Sequence, residues 1–170
     1  GIIFDGEAVE QLEGDNACHI VLDQTPFYAE MGGQVGDTGT ITGKGATFNV
    51  ESTTSPAPGI IVHTGRLISG LLCVGDPVTA AIETERRRAI RRHHTAAHLL
   101  HWALCHLLGD HITQAGSLVA PDKLRFDFAH DAPITQTQLR DIEHLINSKI
   151  WDNIAVETTE RAYAEVQSDP

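Results

Sequence analysis

Two histidines four residues apart are the feature of this sequence best suited to chemistry. They are His94 and His98, within the run HHTAAHLLHW at 93–102. In a helix, this spacing places both imidazoles on one face, one above the other. Such a pair can bind a single metal ion, and zinc is the expected one because neutral imidazole is a good zinc ligand. The alternative interpretation is a partly exposed helix face that binds no metal.

This helix is not expected to complete a zinc site by itself. No glutamate follows His94, so the HExxH pattern of zinc proteases is absent. The next histidine on this face, His101, lies seven residues further on, which is roughly 10 Å along a helix axis. Zinc holds its ligand atoms at about 2.0–2.3 Å. A third ligand is therefore expected from elsewhere in the fold.

A cluster of arginines directly precedes the histidines. It holds five of the 12 Lys and Arg residues of the chain, namely Arg86, Arg87, Arg88, Arg91 and Arg92. The net charge of −11 argues against broad, non-specific nucleic-acid binding but leaves room for a local basic site. The alternative interpretation is a solvated helix start whose long side chains cover apolar surface.

A glycine-rich segment, TPFYAEMGGQVGDTG, occupies residues 25–39. Its adjacent glycines, Gly32 and Gly33, can adopt positive φ and allow another group to approach their backbone closely. A phosphate-binding loop is not supported, since the segment has no GKS or GKT and no helix follows it. Composition alone favours a tight β-turn that requires glycine.

Composition places the chain among ordinary globular proteins. With 170 residues, of which 41% are hydrophobic and 21% charged, it can bury a core as one domain or two small ones. Its apolar runs are far too short to span a bilayer, and its N-terminus has no signal-peptide pattern. Three cysteines without a CxxC fit a reducing compartment. A cytoplasmic protein without a membrane partner is expected, and its oligomeric state is open.

Short extended segments separated by turn residues predict β structure over residues 1–85. Their number and spacing suggest a small barrel or curled sheet. The Thr-, Ser- and Pro-rich stretch 52–58 is expected to be a loop within it. Around Glu83 the hydrophobic period changes and predicts one long helix, which ends before Gly109.

The second half of the chain predicts mixed structure. Residues 111–119 and 124–128 should form a hairpin packed on the long helix. Thr135 should open a second helix through a capping box with Gln138. Beyond it, 154–157 is expected to be a returning strand, and 160–170 a helix or a frayed end.

Four motifs, in this order, resemble one known family. They are FYAEMGGQVGDTG (27–39), HTAAHLLH (94–101), QAGSLV (114–119) and RFDF (125–128). They are similar to the editing domain of alanyl-tRNA synthetases and to the freestanding AlaX editing proteins. The related region of threonyl-tRNA synthetases shares the HxxxH core, but the glycine-rich segment makes that match weaker.

The resemblance implies an α+β fold in two parts. Residues 1–85 would form an N-terminal small β-barrel subdomain with the glycine-rich motif. Residues 86–170 would form an α/β editing core, in which the long HxxxH helix packs on an antiparallel sheet. The family's CxxxH motif does not occur in the chain, so the core is expected to be incomplete and the chain a piece of a larger synthetase.

The implied activity is zinc-assisted hydrolysis of the ester of mischarged Ser-tRNA(Ala) and Gly-tRNA(Ala). A binding pocket discriminates such small differences by only ~1–3 kcal/mol, so a second, hydrolytic site is useful to a synthetase. The expected partners are the acceptor end of tRNA(Ala) and the rest of the synthetase chain. ATP binding and the ligase activity that charges tRNA with alanine would belong to that remainder.

Residue roles follow from the same resemblance. His94 and His98 match the zinc ligands, Gln114 lines the substrate site, and Gly32 with Gly33 helps to exclude cognate alanine. Ala97 would also contact substrate, in a position where the family commonly has threonine. The tRNA is expected to bind the arginine cluster, Arg86, Arg87, Arg88, Arg91 and Arg92.

Two other functions remain open at this point. One is a catalytically silent module that binds the tRNA acceptor end and has a half-built metal site. The other is a structural α+β domain whose histidines are only surface residues. Zinc content and deacylation activity distinguish these possibilities.

Overall fold

The computed structural model describes residues 1–157, 159 and 160. Within them, nine strands precede a long helix, and a β-hairpin and a second helix follow it. The strands of the first part are β1 (Ile2–Phe4), β2 (Glu7–Val9), β3 (Gln11–Glu13), β4 (Asn16–Val21), β5 (Gly39–Gly43), β6 (Ala46–Ala57), β7 (Ile60–Ser69), β8 (Leu71–Cys73) and β9 (Thr79–Ile82). The second part consists of α1 (Thr84–Leu108), β10 (Gln114–Val119), β11 (Leu124–Phe128) and α2 (Gln136–Trp151).

Seven of these strands form one antiparallel sheet in the order β2-β1-β4-β7-β6-β5-β9. β3 and β8 pair separately. The expected mixed architecture, with a large antiparallel sheet and two helices, is confirmed. The pairings leave β2 and β9 at opposite ends of the sheet and do not establish a closed barrel. The barrel and the division at residue 85 stay predictions.

The sheet buries one face because apolar residues alternate along its strands. In β6, Ala46, Phe48 and Val50 are buried, and the residues between them are not. Ile41 of β5 and Leu67 of β7 complete a fully buried centre with Phe48. Phe27 of the glycine-rich segment belongs to the same buried core.

The stretch 52–58 was expected to be a loop, and this expectation is wrong. β6 continues to Ala57, which pairs with Ile60 of β7. Threonine suits a strand, and Thr53 is fully buried. Pro56 lies where the ladder is irregular, between the Thr54–Val62 and Ala57–Ile60 pairs, so its missing N–H breaks no regular bond.

The long helix α1 follows the sequence prediction closely. It begins at Thr84, and the backbone N–H of Glu83 donates to Thr38 O at 2.8 Å, which ties its start to the sheet. It ends at Leu108, where Gly109 has φ +115° and its N–H donates to Cys105 O at 2.9 Å. A positive φ is accessible to glycine at little steric cost, which explains the stop at this residue.

The second core lies between the two helices and the β10–β11 hairpin. Four residues are buried there: Ala103 and Leu104 of α1, Ile112 of the loop before β10, and Ile142 of α2. The hairpin adds the aromatic side chains of its second strand to this cluster. The capping box at the start of α2 is confirmed, since the Gln138 N–H donates to Thr135 Oγ1 at 3.2 Å and Gln138 Oε1 accepts from the Thr135 N–H at 2.9 Å.

The returning strand expected at 154–157 does not form. These residues follow Asp152, which caps α2, and Asn153, whose φ of +45° turns the chain. Ile154 and Val156 are 61% and 87% exposed, and a strand needs a partner that this segment does not have in the described part of the chain. Of the stretch 160–170, which was expected to form a helix or a frayed end, only residue 160 lies within the described residues. The described helices include none that is long and apolar enough to cross a membrane.

Candidate functional site

A cleft of about 150 Å³ lies between α1, β10 and the glycine-rich segment. Its wall gathers five of the six residues that were predicted to bind metal or substrate, all except Gly33. The lining residues are Gly32, His94, Ala97, His98, His101, Gln114, Ser117 and Val119. Three segments that are distant in sequence therefore meet at one small, partly polar space.

The two histidines stack on α1 as their spacing predicts. Their ring centroids are 5.0 Å apart and the ring planes differ by 15°. Both residues are exposed and line the cleft.

His94 has a buried partner that the sequence did not reveal. Its Nδ1 lies 2.6 Å from Oε1 of Gln34, which is only 8% exposed. An amide oxygen only accepts hydrogen bonds, so Nδ1 of His94 donates, and in the neutral ring the lone pair is then on Nε2. The sequence signal that could have indicated this contact is the long polar side chain of Gln34 directly after the glycine pair.

The glycine pair forms a tight two-residue turn. Met31 and Gln34 make an antiparallel bridge around it, and Gly32 and Gly33 have φ of +62° and +82°. The expected β-turn that requires glycine is confirmed. Two consecutive positive φ values explain why side chains are disfavoured here.

This turn is attached to β10. The Val119 N–H donates to Gly33 O at 2.8 Å, and the Val35 N–H donates to Val119 O at 3.1 Å. A Cβ placed on Gly33 would lie 2.5 Å from Ser117 O, and Ser117 Oγ would be closer still. Glycine is thus required at position 33 for two reasons: the Ser117 backbone lies too close for a Cβ, and the φ is positive.

Two arginines of the cluster connect α1 to the glycine-rich segment. Arg87 forms a bidentate ion pair with Asp37, with its Nε 2.8 and 3.0 Å from the two carboxylate oxygens. The hydrogen bond to Asp37 raises the pKa of Arg87 further above its ordinary value. Arg86 Nη1 donates to Gly36 O at 3.2 Å. These two side chains are engaged within the fold.

Asp37, the partner of Arg87, is the second residue near the site that the sequence analysis did not identify. It is 2% exposed, and its carboxylate also accepts from the Tyr28 N–H at 2.7 Å. Its backbone carbonyl accepts from the buried Thr53 hydroxyl at 2.9 Å. The carboxylate therefore joins the glycine-rich segment to α1, and the backbone carbonyl joins it to the sheet.

The rest of the arginine cluster faces a different surface. Arg88 forms an exposed ion pair with Glu85 at 2.6 Å, and Arg91 and Arg92 are exposed. These three border a groove of about 690 Å³ whose floor includes Leu99. The cluster thus divides into two structural arginines and three that remain accessible.

The cleft fits zinc only in part. His94 and His98 supply two imidazole donors, whereas zinc takes four ligands, of which at least three usually come from protein. Within the described residues, no group of three or more His, Cys, Asp or Glu side chains is arranged to hold a metal. Cys105 does not join the pair; its Sγ donates to Ile112 O at 3.5 Å. Zinc binding stays a prediction.

The chain is similar to one family of synthetases. The family model described as "tRNA synthetases class II (A)" matches residues 1–86. The chain is 50% identical over 159 residues to the alanine–tRNA ligase of Myxococcus xanthus (strain DK1622), which covers 92% of the chain and 18% of that protein.

Two further relatives show the same relationship. The alanine–tRNA ligase of Acidithiobacillus ferridurans is 47% identical over 167 residues, 98% of the chain and 19% of that protein. That of Roseiflexus sp. (strain RS-1) is 49% identical over 162 residues, 95% of the chain and 18% of that protein. The chain spans less than a fifth of the length of these relatives. With the family model matching half of its residues, the chain belongs to the class II alanine–tRNA ligase family.

Proposed function

We propose that this chain carries the editing site of an alanine–tRNA ligase, which hydrolyses the ester of tRNA(Ala) mischarged with serine or glycine. The observation that carries the proposal is the cleft itself. It gathers His94, His98, Gln114 and Gly32 from three segments into a space that suits a small aminoacyl group. The ligase activity, ATP binding and the other partners of the whole synthetase would reside in the remainder of the polypeptide.

The reaction is the addition of water to an ester. The water oxygen adds to the carbonyl carbon, the bond to the ribose oxygen breaks, and that oxygen takes up a proton. A zinc ion held by His94 and His98 would supply Lewis-acid polarisation of the carbonyl or a more acidic water. Its remaining ligands would have to come from outside the described residues.

The chain's own polar groups bind and orient the substrate. Gln114 and Ser117 line the cleft, and their side chains can hydrogen-bond the aminoacyl group or the terminal ribose. A seryl hydroxyl would pair with such a group, whereas alanine would leave it unpaired, at a cost of about 1–3 kcal/mol. Ala97 adds no hydroxyl of its own, and the Gly32–Gly33 turn closes the side of the cleft.

The accessible arginines are the best candidates for tRNA contact. Arg88, Arg91 and Arg92 lie on α1, the helix that also carries the histidine pair. Phosphate contacts by exposed arginines position a nucleic acid without reading its sequence. This placement would hold the acceptor end near the cleft.

A catalytically silent tRNA-binding module is the second candidate. It is favoured by the finding that the described residues contain no group of three potential metal ligands. Such a module would bind tRNA(Ala) through the arginines and leave the ester intact.

Deacylation of Ser-tRNA(Ala) tests the two candidates. The full synthetase and the 170-residue chain would each be assayed with added zinc, as wild type and as His98→Ala. His144→Ala, an exposed histidine on α2, is the matched control. We expect hydrolysis by the full synthetase that is lost in His98→Ala and kept in His144→Ala. Equal hydrolysis by His98→Ala and His144→Ala would refute the role of the cleft. If the wild-type synthetase bound Ser-tRNA(Ala) without hydrolysing it, the silent module would be favoured.

A further inference from the structure

The side chain of Gln34 connects the glycine-rich turn to the histidine pair. Its backbone is held by two hydrogen bonds with Met31, at 3.1 and 3.2 Å, and by a parallel bridge to Val119 of β10. The residue is 8% exposed, and its Oε1 lies 2.6 Å from His94 Nδ1. A glutamine fixed at its backbone and buried in this way has little freedom to leave the imidazole.

The direction of this hydrogen bond determines the protonation of the His94 ring. Oε1 accepts, so Nδ1 donates, and the neutral ring has its lone pair on Nε2. His94 lines the cleft, so the ring offers that lone pair as a metal ligand or proton acceptor. A metal-binding histidine commonly donates its other N–H to a fixed oxygen in this manner.

His93 shows that the contact is particular to His94. Its Nδ1 donates to the backbone carbonyl of Ala120 at 2.7 Å. The tautomer of His93 is therefore set by the main chain and does not depend on Gln34. Both histidines donate through Nδ1, His93 to a backbone carbonyl and His94 to the Gln34 side chain.

We propose that Gln34 is a positioning residue for His94, which holds the ring in the Nδ1–H tautomer and presents Nε2 to the cleft. This inference rests on the proposed function, because the free Nε2 matters when it binds the metal or takes part in ester hydrolysis. It also gives the glycine pair a role beyond closing the cleft. The turn made by Gly32 and Gly33 places Gln34 between α1 and β10.

The test reads the tautomer directly in the metal-free chain. Two-bond ¹H–¹⁵N correlation spectra, recorded at about pH 8 where an ordinary histidine is neutral, distinguish the protonated ring nitrogen. The signals of His94 would be assigned as those that are missing from the spectrum of His94→Asn. We expect wild type and Gln34→Glu, whose carboxylate also accepts, to show Nδ1–H. Gln34→Met, which has no strong acceptor, should lose it at His94 and keep it at His93.

Binding of Zn²⁺ alone to the full synthetase, measured by competition with a chelator, is the second readout. Loss of such a supporting contact typically weakens metal binding roughly 10- to 100-fold, and we expect this in Gln34→Met with recovery in Gln34→Glu. If His94 keeps the Nδ1–H tautomer in Gln34→Met, the proposal is overturned. A full synthetase that binds no zinc would count against the proposed function alone, because the tautomer is read without metal.

Discussion

Arg87 of α1 and Asp37 of the glycine-rich segment form a bidentate ion pair that joins the two halves of the chain. The residues are 50 positions apart in sequence, and the Asp37 side chain is 3% exposed. The same carboxylate accepts a backbone hydrogen bond from Tyr28. The pair therefore places the glycine-rich turn against the helix that carries the histidines.

Removal of this arginine should destabilise the fold strongly. Arg87→Ala would leave the Asp37 charge buried without a partner, which typically costs about 3–5 kcal/mol. The Arg87 side chain is 27% exposed, so a value near the lower end is expected. Arg87→Lys keeps the charge but loses the fork geometry, and its effect should be smaller.

Urea unfolding measures the change in the free energy of unfolding. Arg91→Ala is the matched control, since this arginine is exposed on the same helix and its loss should stay within about 0.5 kcal/mol. Equal unfolding midpoints for Arg87→Ala and Arg91→Ala would show that the buried ion pair does not stabilise the fold.

The close approach of the turn to β10 predicts a penalty at Gly33. Gly33→Ala adds a Cβ 2.5 Å from Ser117 O at a φ of +82°, so the turn or β10 has to move. Gly6→Ala is an unusually good control, because Gly6 has the same φ of +82° but nothing within 4 Å of its Cβ position. Both variants carry the positive-φ strain, about 1–2 kcal/mol, and only Gly33→Ala carries the steric overlap.

We expect the free energy of unfolding of Gly33→Ala, measured in urea, to be about 1–3 kcal/mol lower than that of Gly6→Ala, which is the usual cost of overpacking. Identical losses in the two variants would mean that φ alone requires glycine at this position, and that Ser117 accommodates a methyl group.

Local signals account for the parts of the structure that the sequence predicted. The 3.6-residue period and the glycine stop define α1, and the Thr135–Gln138 capping box defines the start of α2. The turn at Gly32–Gly33 and the hairpin of β10 and β11 also have short-range patterns. Each of these features depends on residues close together in the chain.

The contacts that build the site depend on distant residues and have no such pattern. The Gln34–His94 and Asp37–Arg87 hydrogen bonds span 60 and 50 positions. Composition predicted a loop at 52–58, whereas pairing with β7 makes it a strand. Likewise, the arginine cluster is uniform in sequence, and only the fold separates Arg86 and Arg87 from the accessible members.

A buried histidine in the sheet should make stability depend on pH. His63 is fully buried; its Nδ1 donates to Ile20 O at 2.9 Å, and its Nε2 accepts from the Thr25 hydroxyl at 2.8 Å. Burial lowers the pKa of His63 below its ordinary value of 6.5. The unfolded chain therefore binds more protons than the folded one below pH 6.5, and the free energy of unfolding falls as the pH drops.

This contribution is complete above the unfolded pKa and is lost progressively as the pH falls toward the folded pKa. Urea unfolding of wild type and His63→Gln between about pH 7.5 and pH 5 would measure it. The variant is less stable at the upper pH but should show a shallower decline, because it cannot take up this proton. Parallel curves would assign the pH dependence to other groups.

The division of the arginine cluster changes which variants test tRNA binding. Arg87→Ala would weaken binding through loss of folding, so it is uninformative about phosphate contact. Arg91→Ala combined with Arg92→Ala removes two exposed charges, and we expect weaker binding of tRNA(Ala) without loss of stability. The slope of log affinity against log salt should flatten by about 1 for each arginine that contacts a phosphate.

Arg66→Ala provides the control, because Arg66 is an exposed arginine of β7 that is paired with Asp15. Its loss should leave both the affinity and the salt slope nearly unchanged if tRNA binds along α1. If the double variant keeps the wild-type slope, Arg91 and Arg92 are not at the RNA interface. A flattened slope in Arg66→Ala would instead move that interface to the sheet, away from the helix that carries His94 and His98.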